Sequence, residues 1–433
     1  MKTLVSIILV LVSSSIFSQQ KEWTLQECVS YAIENNITVK QSELSTLLKE
    51  TEITRANMDF YPSVNGNIGS SFSFGDPNRN TNVSNNFGIS SNAVLYNGNR
   101  NKNNVILAKT AYEISKLNTL QTRDNITLNV LNAYLNVLYN KEHVKIATEQ
   151  ISVGENLVAR MHELVAAGVK AKNELFQVEA NLSTNQEALV KAENNLELAL
   201  LELTQVLQIP NAGFQVAPIQ INIDSATLLY KNSEIIYNKA VASRPEITSA
   251  KLQIENAEKS IEIAESGKLP VLSASYSFGT SYYYDLETDF EQSGYFKQLE
   301  NNRGHSVGVS LSIPIFDKNT TKINIQRAQI QKEIANNTLE NEKINLHATI
   351  ERAYIDAKTS LKTFEATQKS LQAQQEAFRV TKERYDAGIL TSFDFDQVRN
   401  QLVNAQSAMV RAKYNYVFRA TFLDFYSGKK IVM

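Results

Sequence analysis

The chain has 433 residues, with 43 Lys and Arg against 45 Asp and Glu, and a single cysteine, Cys28. A net charge of −2 gives no general attraction to nucleic acid or to anionic lipid. One cysteine excludes an intrachain disulfide, and Cys28 reads as a small apolar residue on a helix.

In chain order, residues 1–18 read as a secretory signal peptide: Lys2, the apolar run Leu4 to Val12, then the small residues Ser13 to Ser15. Beyond it no apolar run of about 18 residues occurs, so no helix of the mature chain is expected to span a bilayer. Leu25 to Phe60 reads as a helix. From Ser63 the period changes from 3.6 to 2: Val64, Ile68, Phe72 and Phe74 alternate with Ser63, Asn65, Asn67, Ser71 and Ser73. Phe87, Ile89, Ala93 and Leu95 alternate next, after the polar loop Gly75 to Asn86, giving a hairpin over about 62–96.

A helix of about 70 residues follows over about 99–166, roughly 100 Å long. On it Asn125, Asn129, Asn132, Asn136 and Asn140 form a polar stripe. Ile126, Val130, Ala133 and Val137 form one apolar row, and Leu128, Leu131, Leu135 and Leu138 another, which calls for neighbours on both flanks. A helix over about 173–208 closes this half. Residues 209–232 read as a linker with a short strand marked by Ile219, Ile221 and Ile223.

The second half repeats the first. A shift of 208 places Ala32 on Ala240 and Pro62 on Pro270; a shift of 220 places Tyr134 on Tyr354, Gly168 on Gly388 and Leu203 on Leu423. Repeat 1 is therefore 19–208 and repeat 2 is 233–426, with a tail at 427–433. Repeat 2 holds a helix from Ser233 to Gly267, a hairpin over about 270–316 with a long polar loop from Tyr283 to Arg303, a long helix over about 318–386 and a helix over about 392–426. In its strands Leu272, Ala274, Tyr276 and Phe278 alternate with serines, and Val307, Val309, Leu311, Ile313 and Ile315 alternate against Ser306, Gly308, Ser310 and Ser312.

Uncharged alternating strands of about ten residues have the form of transmembrane β-strands. Their expected lipid-facing residues are Val64, Ile68, Phe72, Leu272, Tyr276, Phe278, Val307, Val309 and Leu311. Four strands cannot close a barrel, and open edges are not tolerated in lipid, so several chains must join. Two, three or four copies would all close.

The chain resembles the TolC family of outer membrane efflux proteins. The resemblance is carried by Leu25-Gln26-Glu27 through Ala32-Ile33-Glu34-Asn35-Asn36, Tyr61-Pro62, Leu95-Tyr96-Asn97-Gly98, Leu269-Pro270, Pro314-Ile315-Phe316-Asp317, Arg384-Tyr385-Asp386-Ala387-Gly388 and Ala412-Lys413-Tyr414-Asn415-Tyr416. It implies a homotrimer with a 12-stranded outer-membrane β-barrel continuous with a periplasmic α-helical coiled-coil barrel. It also implies a periplasmic membrane-fusion adaptor and an inner-membrane transporter, RND or ABC type, as partners, together with outer-membrane lipid. The turns at Gly168 and Gly388 would then lie at the periplasmic tip and contact the adaptor. Glu174 would bond Tyr385 in the closed entrance, and Asp394 would belong to an acidic constriction. Leu390 and Gln397 stand where the best-known members carry an arginine and a second acid.

No cofactor, metal or nucleic-acid motif is present. His143, His162, His305 and His347 are scattered, and nothing supports catalysis. The expected function is a passive exit duct for efflux or type I secretion. The rival reading is a structural or adhesive coiled-coil surface protein, which accounts for the long helices but not for the uncharged alternating strands.

Overall fold

The computed structural model describes residues 21–74, 81–219, 230–287 and 291–429. The expected signal peptide, the centre of the first hairpin loop, Ile221 and Ile223 lie outside these residues.

The first helical segment is broken. Thr24 and Glu27 form a capping box that starts α1 (Leu25–Asn35). The Thr24 backbone and Lys21 donate to Glu27 and hold its carboxyl down at about 2. At Asn36 the backbone leaves the helix; its side chain donates to the Val206 carbonyl at 3.0 Å and accepts from Thr38 N at 2.9 Å, and α2 (Ile37–Met58) begins. The matching segment of the second half breaks 208 residues later, at Arg244, between α5 (Ser233–Ser243) and α6 (Pro245–Glu265). There a proline disfavours helical geometry in the residue before it. The single helices expected from Leu25 to Phe60 and from Ser233 to Gly267 are therefore each two helices. Each repeat also contains one 67-residue helix, α3 (Arg100–Ala166) and α8 (Thr320–Asp386). These lead into α4 (Lys172–Leu207) and α9 (Ser392–Tyr426).

The chain divides into two compact units, one of Met1–Ser42, Thr119–Pro245 and Lys343–Met433, the other of Glu43–Asn118 and Glu246–Glu342. In the first, one apolar core joins Leu25, Cys28 and Ala32 of α1 to Val130, Leu131, Val137 and Leu138 of α3, Leu203 and Leu207 of α4, and Tyr414 and Val417 of α9. Both apolar rows of α3 are thus covered. Cys28 is fully buried, and burial pushes its thiol up to about 12. Among the described residues of the linker, β4 (Gln215–Val216) pairs in parallel with β1 (Glu22–Trp23). The pair is fixed in place by the Tyr134 hydroxyl, 2.6 Å from the Ala217 carbonyl and 3.0 Å from that of Trp23, and by Lys141, which donates to the Val216 carbonyl. In the second repeat Tyr354, the counterpart of Tyr134, donates to the Lys231 carbonyl at 2.8 Å.

The second unit contains a four-stranded antiparallel sheet in the order β2 (Ser63–Ser73), β3 (Asn82–Tyr96), β5 (Val271–Asp285), β6 (Gly304–Ser312). The strands depart from expectation at their ends. β6 stops before Pro314, which has no N–H to continue a ladder, so Ile313 and Ile315 are not strand residues. β3 starts at Asn82, inside the expected loop, because it pairs with β2 on one side and β5 on the other. β5 runs on to Asp285, and the loop after it contains a short helix, α7 (Tyr295–Asn301), whose Tyr295 ring lies 4.6 Å from Tyr282. A register shift between Val94 and Tyr96 leaves Leu95 unpaired and aligns Tyr96 with Leu272.

Directly opposed residues of a sheet share a face. The register aligns Val64 with Ser91, Tyr276 and Val307, and Phe72 with Val83 and Tyr284. Ile68 opposes Phe87, Phe278 opposes Ile89 and His305, Ala274 opposes Val309, and Leu272 opposes Leu311. All nine residues expected to meet lipid therefore lie on one face. The same face also carries the polar residues Ser70, Asn85, Ser91, Thr280 and His305, and the His305 Nδ1 lies 3.0 Å from the Tyr276 hydroxyl.

Candidate functional site

Among the described residues no helix is long and apolar enough to cross a membrane, and no group of three or more His, Cys, Asp or Glu could hold a metal ion. The residues singled out from sequence converge elsewhere, where α3 turns into α4 and α8 turns into α9.

The two turns are built alike. Gly168 has φ +72° and Gly388 φ +75°, a conformation in which a side chain is strained and glycine is not. In the first, Gly168 N donates to the Val165 carbonyl and Val169 N to that of Leu164; in the second, Gly388 N donates to Tyr385 and Ile389 N to Arg384. This is the Schellman pattern, which satisfies the last carbonyls of a helix. Val169 and Ile389, the residues that follow each glycine, are exposed.

Glu174 lies in the first turn of α4, paired with Lys170 at 3.0 Å. Ser392, at the start of α9, donates to the same carboxylate oxygen at 3.4 Å and lies 3.5 Å from the Tyr385 hydroxyl. The expected bond between Glu174 and Tyr385 thus passes through a residue the sequence did not single out. The Tyr385 ring is buried, stacks on Phe395 at 4.6 Å and has the Arg160 guanidinium 5.7 Å from its centre. Arg160 forms an ion pair with Asp386 and donates to its carbonyl at 3.1 Å. Leu390 packs against the same cluster, with Leu157, Met161, Val178 and Phe395.

Asp394 is exposed and completes a capping box with Thr391, whose hydroxyl donates to its carboxylate at 2.7 Å. It does not join Glu174 and Tyr385. The buried acid here is Asp396, which accepts from Asn181 of α4 and pairs with Arg399 at 3.0 Å. Burial raises its pKa above the usual carboxylate value, opposed by Arg399 and by the Asn181 bond. The i, i+3 pairing of Asp396 with Arg399 was a readable signal; the partner Asn181, 215 residues away along the same chain, was not. Asn181 to Asp396, Arg160 to Asp386 and Glu174 to Ser392 all tie the α3–α4 hairpin to the α8–α9 hairpin.

The family model for outer membrane efflux protein matches residues 28–207 and 236–429, one match to each repeat. The chain belongs to this family. It is similar to the outer membrane efflux protein BepC of Brucella suis, 22% identical with 91% of this chain and 83% of that protein covered. It is also similar to the outer membrane protein TolC of Escherichia coli, 20% identical with 96% and 84% covered. Among solved structures, the CmeC outer membrane channel of Campylobacter jejuni superposes with a TM-score of 0.75 at 19% identity, covering 94% of this chain and 86% of that one. This outer membrane efflux protein is thus a channel of the Gram-negative outer membrane with its helical part in the periplasm, an exit duct for efflux or secretion. The coiled-coil surface-protein reading falls, and the family is one of channels rather than enzymes.

Proposed function

We propose that this outer membrane efflux protein works as a homotrimer in which four strands from each chain close a 12-stranded barrel, with the α3–α4 and α8–α9 turns forming a closed periplasmic entrance. Val64, Ile68, Phe72, Leu272, Tyr276, Phe278, Val307, Val309 and Leu311 would face lipid. Glu174 and Tyr385, acting through Ser392, would hold the entrance shut, and exposed Asp394, repeated around the axis, would attract cations to it. A membrane-fusion adaptor would grip the exposed turns at Gly168 and Gly388, and an inner-membrane transporter of RND or ABC type would supply the cargo and the energy. The observation that carries this reading is the set of polar links between the two hairpins that the glycine turns close.

The test is single-channel conductance of the detergent-extracted protein in planar bilayers, with oligomeric mass taken from the same preparation. Trimers giving small, cation-selective steps that grow when Glu174 and Tyr385 are replaced are expected. Large parental steps that these substitutions leave unchanged would remove the tip as the closing element.

A further inference from the structure

The sheet has a second face, and its composition is unusual. The register aligns Asn65 with Ser90, Ser277 and Ser306, Ser63 with Asn92, Ser275 and Gly308, and Asn67 with Gly88, Gly279 and Gly304. The remaining strand positions on this face continue the pattern with Ser71, Ser73, Asn82, Ser84, Asn86, Ser273, Ser281, Ser310 and Ser312. Across the described strands this face carries serine, asparagine and glycine, with Val94, Val271 and Tyr283 as larger exceptions. The first charged residue is Asp285, opposite Asn82 at the loop end. Hydroxyls and amides here bond to one another, as Ser71 does to Ser84 at 2.7 Å.

Accepting that the apolar face meets lipid, we infer that this serine and asparagine face is the wall of the outer-membrane pore and that the wall is charge-free and built of small side chains. It takes no part in selecting cargo by charge and gives water-lined passage to polar solutes of either sign. Hydroxyl and amide groups donate and accept alike, so they solvate anions and cations, whereas rings of charged side chains favour one sign. Short side chains also leave the lumen wide. Charge selection in this channel then belongs to the helical part, where acidic residues such as Asp394 and Glu174 lie.

The test uses the full chain in planar bilayers with Ser277→Cys, its cross-strand partner Ser90→Cys, and Val309→Cys on the opposite face. The native Cys28 is fully buried, and the parent protein serves as the unlabelled control. Water-soluble methanethiosulfonates carrying either a trimethylammonium or a sulfonate group are applied from the loop side. Both serine-site variants are expected to react and Val309→Cys not. The cationic and anionic adducts should move the cation-to-anion permeability ratio in opposite directions, on the order of fivefold each. Reaction at the serine sites with an unmoved reversal potential overturns the pore-wall inference while leaving the lipid-facing reading intact. Reaction at Val309→Cys, or none at either serine site, removes the lipid-facing reading and this inference with it.

Discussion

Glu174 and Tyr385 do not bond each other: Ser392 stands between them, 3.4 Å from the carboxylate and 3.5 Å from the phenol. Removing the middle of such a chain breaks both contacts at once. Ser392→Ala should therefore open the channel as far as the Glu174→Ala, Tyr385→Phe pair does. At a typical net value of about 1 kcal/mol per bond, losing both contacts corresponds to about a thirtyfold rise in open probability. Bilayer recordings of the three proteins check this; a silent Ser392→Ala would mean that the contacts close nothing.

Asp396 titrates above 3.8 because burial disfavours its charged form. A carboxyl with a raised folded pKa weakens the fold when ionised, and that cost fades as pH falls from the folded value through 3.8. Asp396→Asn, neutral at every pH, is expected to be within about 1 kcal/mol of the parent at pH 7 and to converge with it in acid. Arg399→Met strands an ionised Asp396 and should cost about 3 kcal/mol at pH 7, less in acid. Denaturant unfolding of both variants across pH is the measurement, and a larger loss from Asp396→Asn would reverse the argument.

At the turns, nothing lies within 4 Å of a Cβ built on Gly168 or Gly388, so alanine there meets only backbone strain. Gly168→Ala and Gly388→Ala should each cost about 1–2 kcal/mol, and the matching Asn variants less. Thermal melts should give nearly equal losses in the two repeats.

A charge on the apolar sheet face should block assembly where one on the other face does not. Val309→Lys or Ile68→Lys is expected to cost about 2–4 kcal/mol near the bilayer midplane. Ser277→Lys should leave the yield of assembled protein close to the parental level. Comparing oligomer yields in membrane fractions decides it.

Tyr134→Phe removes the hydroxyl that serves the Ala217 and Trp23 carbonyls, with an expected loss of about 1–3 kcal/mol. Trp23 is the chain's single tryptophan. Its emission should shift to longer wavelength before the rest of the protein unfolds.

The long helices and the strands were legible because each announces itself by period. Few glycines and prolines interrupt α3 and α8, and alternation in β2 and β5 separates Val64 from Asn65 and Tyr276 from Ser277. Strand ends were less legible, since pairing partners decide them: β3 reaches Asn82 because β2 and β5 both extend alongside it. The helix break at Arg244 was marked by Pro245, but the break at Asn36 depends on a bond to the Val206 carbonyl 170 residues away. The two hairpin turns showed the same divide. Glycine spacing located the turns, whereas Ser392, Arg160 and Asn181 are ordinary polar residues on helices that acquire meaning only from what lies across from them.

Among the described residues β1 pairs with Gln215 and Val216, so this ladder is complete only once they have been made. Glu22 and Trp23 are accordingly placed only after the whole of the first repeat exists, and Tyr134, midway between, fastens both strands. Closing this parallel pair spans nearly two hundred positions of chain, and the loop entropy of that span disfavours its early formation.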